Sequence, residues 1–212
     1  MTNKSGIFIT FEGIEGSGKS TQIKCVYDWL CVEGIDCIKT REPGGTAIGN
    51  HLRNLMLDPQ SEFSHHHTEV FLFMADRLEH IEGVVKPALA AGKVVLCDRY
   101  LDSTIAYQAG GRQIDPKLIA SLHQWIDLMP IRTILLDCKP EQGLQRAIQR
   151  ARLDRFEKEN IDFHQRIYDR YMLAAKENPE RIKTVKAENR SIDSIFTDIQ
   201  LQLQDLIDSI KE

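Results

Sequence analysis

The sequence predicts an α/β protein in three layers, a five-stranded parallel sheet flanked by helices. Short apolar runs alternate with longer stretches whose apolar residues recur near every 3.6 positions. A chain that alternates strand and helix in this way forms a mostly parallel sheet covered on both faces. The run "VVLCD" (94–98) is apolar without alternation, as a central strand buried on both faces requires.

Taken in order, "GIFITF" (6–11) is the first strand and leads through a Gly-rich turn into a helix. "DCIKT" (36–40) is the second strand and ends in the turn "TREPGGT" (40–46). A long apolar helical pattern covers 68–90, and "KVVLCD" (93–98), "RTILLD" (132–137) and "RIKTVK" (181–186) supply the last three strands. The final stretch sets Ile195, Ile199, Leu203, Leu206 and Ile210 on one helix face. Residues 146–159, "RAIQRARLDRFEKE", are dense in charge and read as an exposed, mobile flap. Without repeats, low-complexity tracts or linkers, residues 1–212 are expected to form a single domain with that flap as a lid. Ligands in such sheets bind beyond the carboxyl ends of the strands, so the residues following each strand matter most.

Composition narrows the function. A net charge of −4 lacks the Lys/Arg excess that a nucleic-acid polymer demands, although a local basic cleft for a small phosphate ligand remains open. Cys25, Cys31, Cys37, Cys97 and Cys138 show neither metal-ligand spacing nor a disulfide framework. The N-terminal "MTNKSGIFIT" has no signal-peptide run and nothing is long enough to span a membrane, so a reduced, cytoplasmic protein is expected. His65-His66-His67 has no further ligands at suitable spacing and reads as a solvated loop before a helix.

Gly13-Ile14-Glu15-Gly16-Ser17-Gly18-Lys19-Ser20 matches G-x-x-x-x-G-K-[ST], after a predicted strand and at the head of a predicted helix, with Thr21 following. Glycines let the backbone curl so that N–H groups point inward, and the helix N-terminus adds positive potential. This P-loop predicts a P-loop NTPase fold and an ATP site, with Lys19 reaching the β- and γ-phosphates and Ser20 holding Mg²⁺. The guanine-reading N-K-x-D of GTPases is absent, and 212 residues leave little room for the modules of a motor, which favours a kinase for a small acceptor.

Three stretches stand where an acceptor would bind: "TREPGGT" (40–46), "FLFMADR" (71–77) and "DRYLDSTIAYQ" (98–108). With "FITFEGIEGSGKST" and "LDRFEKENIDFH" they give a sequence that resembles bacterial thymidylate kinase through nearly its whole length. The resemblance implies transfer of the γ-phosphate of ATP to dTMP, with Mg²⁺, in a homodimer. It places Arg99 on the acceptor phosphate, Arg53 as a further contact to it, and Asp98 near the metal. Phe73 would stack on thymine and Arg77 would bond a base oxygen. Thr104 and Gln108 would read the base edge, Tyr107 would pack against the sugar, and Pro43 would shape the pocket. Glu15 falls where the family sets an acid against the sugar 3′-hydroxyl. From the residues alone, Phe73 fits a core position better than a stacking one, Asp98 equally fits a helix cap, and Arg53 a solvated surface.

Some family members carry an arginine inside the phosphate loop, where this chain has Gly16. The resemblance implies that the lid supplies that charge, from Arg150, Arg152 or Arg155. Many members also have a Gly-containing insertion before "LDR" that this shorter lid lacks. The stretch "KAENR" (186–190) stands by position on the adenine side.

Overall fold

The computed structural model of the protein describes residues 6–149 and 153–211. β1 (Ile7–Glu12), β2 (Cys37–Arg41), β3 (Val94–Asp98), β4 (Arg132–Asp137) and β5 (Ile182–Lys186) form one sheet in the order β2-β3-β1-β4-β5. Every pairing is parallel, and each strand lies within a residue of its predicted run. From β1 the chain winds to one side for β2 and β3, then crosses to the other side for β4 and β5. β1 and β3 therefore flank the point where the winding reverses, and the crevice outside their carboxyl ends is the ligand position of such sheets. Register sets Phe11 beside Asp98, so the turns after β1 and β3 emerge together.

β3 is buried on both faces, as its composition requires: Val94 and Leu96 enter one core, Val95 and Cys97 the other. The first core packs α1 (Lys19–Val32), α8 (Ile161–Glu177) and α9 (Ile192–Lys211) on the sheet through Val26, Leu30, Ile167, Ile199 and Leu203. The second packs α3 (His66–His80), α4 (Lys86–Ala90) and α6 (Pro116–His123) through Val70, Ala88 and Ile119. α3 runs through a π-helical turn, Ile81–Val85, into α4, which makes one rod of the pattern predicted over 68–90. The histidine triplet is part of that rod: His65 caps it by accepting from His67 N, and His66 and His67 open its first turn. Among the described residues, no group of three His, Cys, Asp or Glu side chains is placed to hold a metal.

α2 (Ala47–Leu57) lies beside α3, and α5 (Leu101–Thr104) passes into a second π-helical stretch, Ile105–Gly111. Of the predicted flap 146–159, residues 146–149 close the helix Pro140–Ile148 with Ile148 62% exposed, as expected, whereas 153–159 are packed down except for Lys158. Its Phe156 is 3% exposed, with ring centroids 5.7 Å from Tyr107 and 6.5 Å from Phe163. The one aromatic among these charges is thus one anchor of the segment. The backbone adds Arg155 N donating to Leu57 O at 3.1 Å.

α7 (Pro140–Ile148) lies directly on the turn after β1. A Cβ on Gly143 would stand 2.3 Å from Glu15 O and 2.6 Å from Ile14 Cδ1, and one on Gly16 would stand 2.0 Å from Gly143 O. Only glycine lets the two backbones approach so closely. Gly143→Ala is therefore expected to lower stability by about 1–3 kcal/mol, read as a fall in Tm. An unchanged Tm would show that α7 can retreat at no cost.

α3 buries Glu69, Asp76, Arg77 and His80 while leaving Phe71 54% exposed. Asp76 Oδ1 accepts from Gly44 N at 2.8 Å, whereas Oδ2 is buried without a partner. Burial pushes its pKa up to about 7, with Glu42 adding to the rise and Gly44, His80 and Arg77 opposing it. The neutral carboxyl is favoured in the fold, so its contribution is complete below the ordinary value of 3.8 and is lost as pH rises through about 7. Asp76→Asn keeps the acceptor and cannot ionise. It should raise Tm by several degrees over wild type near about pH 8, a difference that closes toward about pH 4. The same Tm difference at both pH values would contradict this.

Candidate active site

The turn after β1 curls through Gly13, Gly16 and Gly18 at φ 138°, 66° and 100°, and α1 starts immediately after it. The Lys19 ammonium folds back on the loop, donating to Gly13 O at 2.9 Å and Ile14 O at 2.8 Å. Burial lowers its pKa to about 8, and the nearby Arg99 lowers it further, against Asp98, Glu15 and Glu12. An ammonium held back by burial and by a second cation gains from any anion that reaches it. Ser20 Oγ donates to Asp98 Oδ2 at 2.9 Å, joining the head of α1 to the end of β3. Two hard oxygens at that separation fit adjacent positions around a small octahedral cation such as Mg²⁺.

Arg99 follows at φ 69°. Its Nη1 donates to Gly13 O at 3.0 Å, and its Nη2 lies 3.3 Å from Glu15 Oε1. The guanidinium also lies over the Tyr107 ring, 4.8 Å from its centroid, and the Tyr107 hydroxyl donates to Glu15. Burial raises the Glu15 pKa, but His164, Arg99, Lys19 and Tyr107 outweigh it and bring the value down to about 2. Glu15 is therefore an acceptor-only carboxylate at neutral pH. The imidazole Nδ1 of buried His164 stands 3.5 Å from Glu15 Oε2, and neither atom completes a hydrogen bond.

The far end of the cleft is organised by Arg77. It is 1% exposed, its Nε donates to Glu42 Oε2 at 2.7 Å, and its Nη2 donates to Thr104 Oγ1 at 2.9 Å. His80 Nδ1 meets the other Glu42 oxygen at 2.9 Å. Gln108, in the π-helical stretch, has a buried Nε2 without a partner. Arg53 Nη1 donates to Pro43 O at 2.9 Å.

One cavity is lined by Glu15, Lys19, Ser20, Pro43, Arg53, Phe73, Arg77, Asp98, Arg99, Thr104, Tyr107 and Gln108, which brings together every acceptor-side residue named from the sequence. Phe73 is half-buried, lining the cavity while packing on the core. Arg155 is not on that lining. Its Nη1 donates to Glu69 at 2.8 Å and its Nε to Met56 O at 2.9 Å, clamping 153–160 to α2 and α3. Arg150 and Arg152 lie outside the described residues. Of 186–190, Asn189 bonds Gln142 of α7 at 2.5 Å, which keeps that stretch beside the phosphate loop.

Sequence reasoning missed Arg41, Glu42 and Phe156, all on the cavity wall. Glu42 stands inside the quoted "TREPGGT", where proline and glycine drew attention. Phe156 is the one aromatic of the charged flap.

The sequence model for thymidylate kinase matches residues 11–199. The chain is 44% identical over 197 residues to the thymidylate kinase of Exiguobacterium sibiricum, covering 92% of each chain. It is 48% identical over 184 residues to that of Geotalea uraniireducens, covering 83% of this chain and 86% of the relative. The crystal structure of thymidylate kinase from Ehrlichia chaffeensis superposes with a TM-score of 0.78 at 31% identity, over 94% of this chain and 99% of the other. The glycine-rich loop, the cleft beside it and these likenesses together make the chain a member of the thymidylate kinase family.

Proposed function

We propose that this protein transfers the γ-phosphoryl group of ATP to dTMP, giving ADP and dTDP for dTTP synthesis, as one domain with residues 146–159 acting as its lid. The observation that carries the reading is the continuity of the cleft with the phosphate loop, through Arg99 bonded both to Gly13 O and to Glu15. Residues 13–21 and Lys19 would cradle the donor phosphates, and Arg99, assisted by Arg53, would hold the acceptor phosphate. Glu15 would accept from the sugar 3′-hydroxyl. Phe73, with Phe156 across from it at 6.2 Å, would border the base, while Arg77, Thr104 and Gln108 would address its polar edge. Ser20 and Asp98 would hold Mg²⁺, which when bound neutralises charge on the transferred phosphate. Phosphoryl transfer needs alignment, charge neutralisation and exclusion of water, with little covalent help from the protein.

The charge on the transferred group is assigned to Arg150 or Arg152, because Arg155 is committed to Glu69 and Met56 O. Among the described residues, no helix is long and apolar enough to cross a membrane. Exposed Ile48, Leu55, Phe71 and Leu78 on α2 and α3 offer an apolar face for the homodimer.

ADP release with Mg-ATP and a panel of dTMP, dUMP, UMP, dCMP, dGMP, AMP, thymidine and no acceptor tests the reaction. dTMP should lead, with dUMP slower by roughly 10–200-fold for its missing methyl. Another preferred acceptor would overturn the roles of Phe73, Arg77, Tyr107 and Gln108, and turnover independent of acceptor would leave a nucleotide-binding switch.

Alanine at Arg150, Arg152 and Arg155 in turn should give one dominant loss in kcat, on the order of 10³-fold, at Arg150 or Arg152. Arg155→Ala should instead lower Tm. Three equal, small kcat losses would refute the lid assignment.

A further inference from the structure

Glu12 ends β1 and has no role in the steps above, yet it is fully buried and its carboxylate is met by four donors. Oε1 accepts from Tyr100 N at 2.8 Å and Ser103 N at 3.3 Å, and Oε2 from Ser103 Oγ at 2.6 Å and Tyr171 Oη at 2.9 Å. The same two hydroxyl oxygens face Arg99, whose Nη1 lies 3.1 Å from Ser103 Oγ and 3.2 Å from Tyr171 Oη. The hydroxyls are 2.7 Å from each other.

Proton counting gives this cluster one direction. A guanidinium only donates, an ionised carboxylate only accepts, and each hydroxyl carries a single proton. With Glu12 ionised, the two hydroxyl protons occupy two of the three edges joining Oε2, Ser103 Oγ and Tyr171 Oη. In each of these arrangements both oxygens turn lone pairs toward Arg99, sharing one Nη1 proton while Gly13 O takes the other.

We propose that Glu12 is a positioning residue for the acceptor-phosphate grip, ordering the hydroxyl protons of Ser103 and Tyr171 so that two acceptors hold the Arg99 guanidinium in place. This rests on the reading that Arg99 binds the phosphate of dTMP. The backbone supports the same end. Oε1 fixes Tyr100 N and Ser103 N, immediately after Arg99 at its left-handed φ of 69°, so one carboxylate steadies both the main chain and the side chain of that arginine. An amide at position 12 would keep the shape and reverse the polarity. Its –NH₂ would donate where an acceptor is needed and turn a hydroxyl proton toward a guanidinium that cannot accept it.

The test is a double-mutant cycle in dTMP dissociation constant, by calorimetry at about pH 8.5, above the value of about 7 to which burial and then Asp102 raise the Glu12 pKa, on wild type, Glu12→Gln, Arg99→Ala and the double variant. Glu12→Gln should weaken dTMP about ten- to a hundredfold in the wild-type background, change binding of a non-hydrolysable ATP analogue by less than about threefold, and add nothing in the Arg99→Ala background. An equal loss in both backgrounds would overturn the proposal, as would no loss in Glu12→Gln when Arg99→Ala binds weakly. Unchanged binding in Arg99→Ala would instead overturn the acceptor-site reading beneath it. Should Glu12→Gln not fold, Ser103→Ala and Tyr171→Phe each remove one acceptor and leave Glu12 in place. Each should weaken dTMP by roughly three- to tenfold, again only when Arg99 is present; no weakening from either overturns the proposal.

Discussion

Buried positive charge is the constraint around which this cleft is built. Taking an ammonium or guanidinium out of water costs several kcal/mol unless partners replace the lost hydration. Arg77 has Glu42 and Thr104, Lys19 has the carbonyls of its own loop, and Arg99 has Glu15, Gly13 O and two hydroxyls. Compensation stops short at one point. Burial, with the nearby Arg99 adding to it, holds the Lys19 pKa down at about 8 against Asp98, Glu15 and Glu12. A pair of cations left wanting an anion, between a phosphate loop and a cavity, is the electrostatic form of a site for phosphate esters.

The strand order makes this arrangement possible. Because β1 and β3 are neighbours that wind away in opposite directions, Asp98 and Arg99 come to lie against a loop more than eighty residues earlier in the chain. Asp102 is held beside them by Arg181, with bonds of 2.6 Å and 2.8 Å, and Arg181 also reaches Thr133 of β4. The platform carrying Arg99 is thereby tied to strands on both sides of the crevice. Its continuation as a π-helical stretch, Ile105–Gly111, carries Tyr107 and Gln108 to the cavity wall; such widened turns recur at functional sites.

How much of this the sequence revealed depended on whether a feature was local. The three central strands were legible because burial on both faces leaves near-contiguous apolar runs, and the phosphate loop because its glycines, Lys19 and Ser20 stand close together in sequence. The cavity is assembled from the turn after β2, from α3, from α5 and its continuation, and from 154–157. Each of those residues has an ordinary reading in its own segment, so only family resemblance joined them beforehand. Tyr171 and Ser103 were silent for the same reason: one reads as a core position on α8, the other as a helix surface. The flap misled because charge density outweighed a single phenylalanine, whereas in three dimensions Phe156 has an aromatic slot waiting between Tyr107 and Phe163.

The contact between Gly16 and Gly143 bears on how such enzymes change over time. A side chain at position 16 would run into the Gly143 carbonyl oxygen at 2.0 Å, so an arginine cannot be added to this loop while α7 stays where it is. Retreat of α7 on its own would strip the loop of its packing and would also displace the helix that leads into residues 149–152. A loop with a side chain at position 16 and a loop packed on Gly143 are thus separated by intermediates worse than either. Substitutions at positions 16 and 143 should be epistatic, and lineages should keep the layout they inherited.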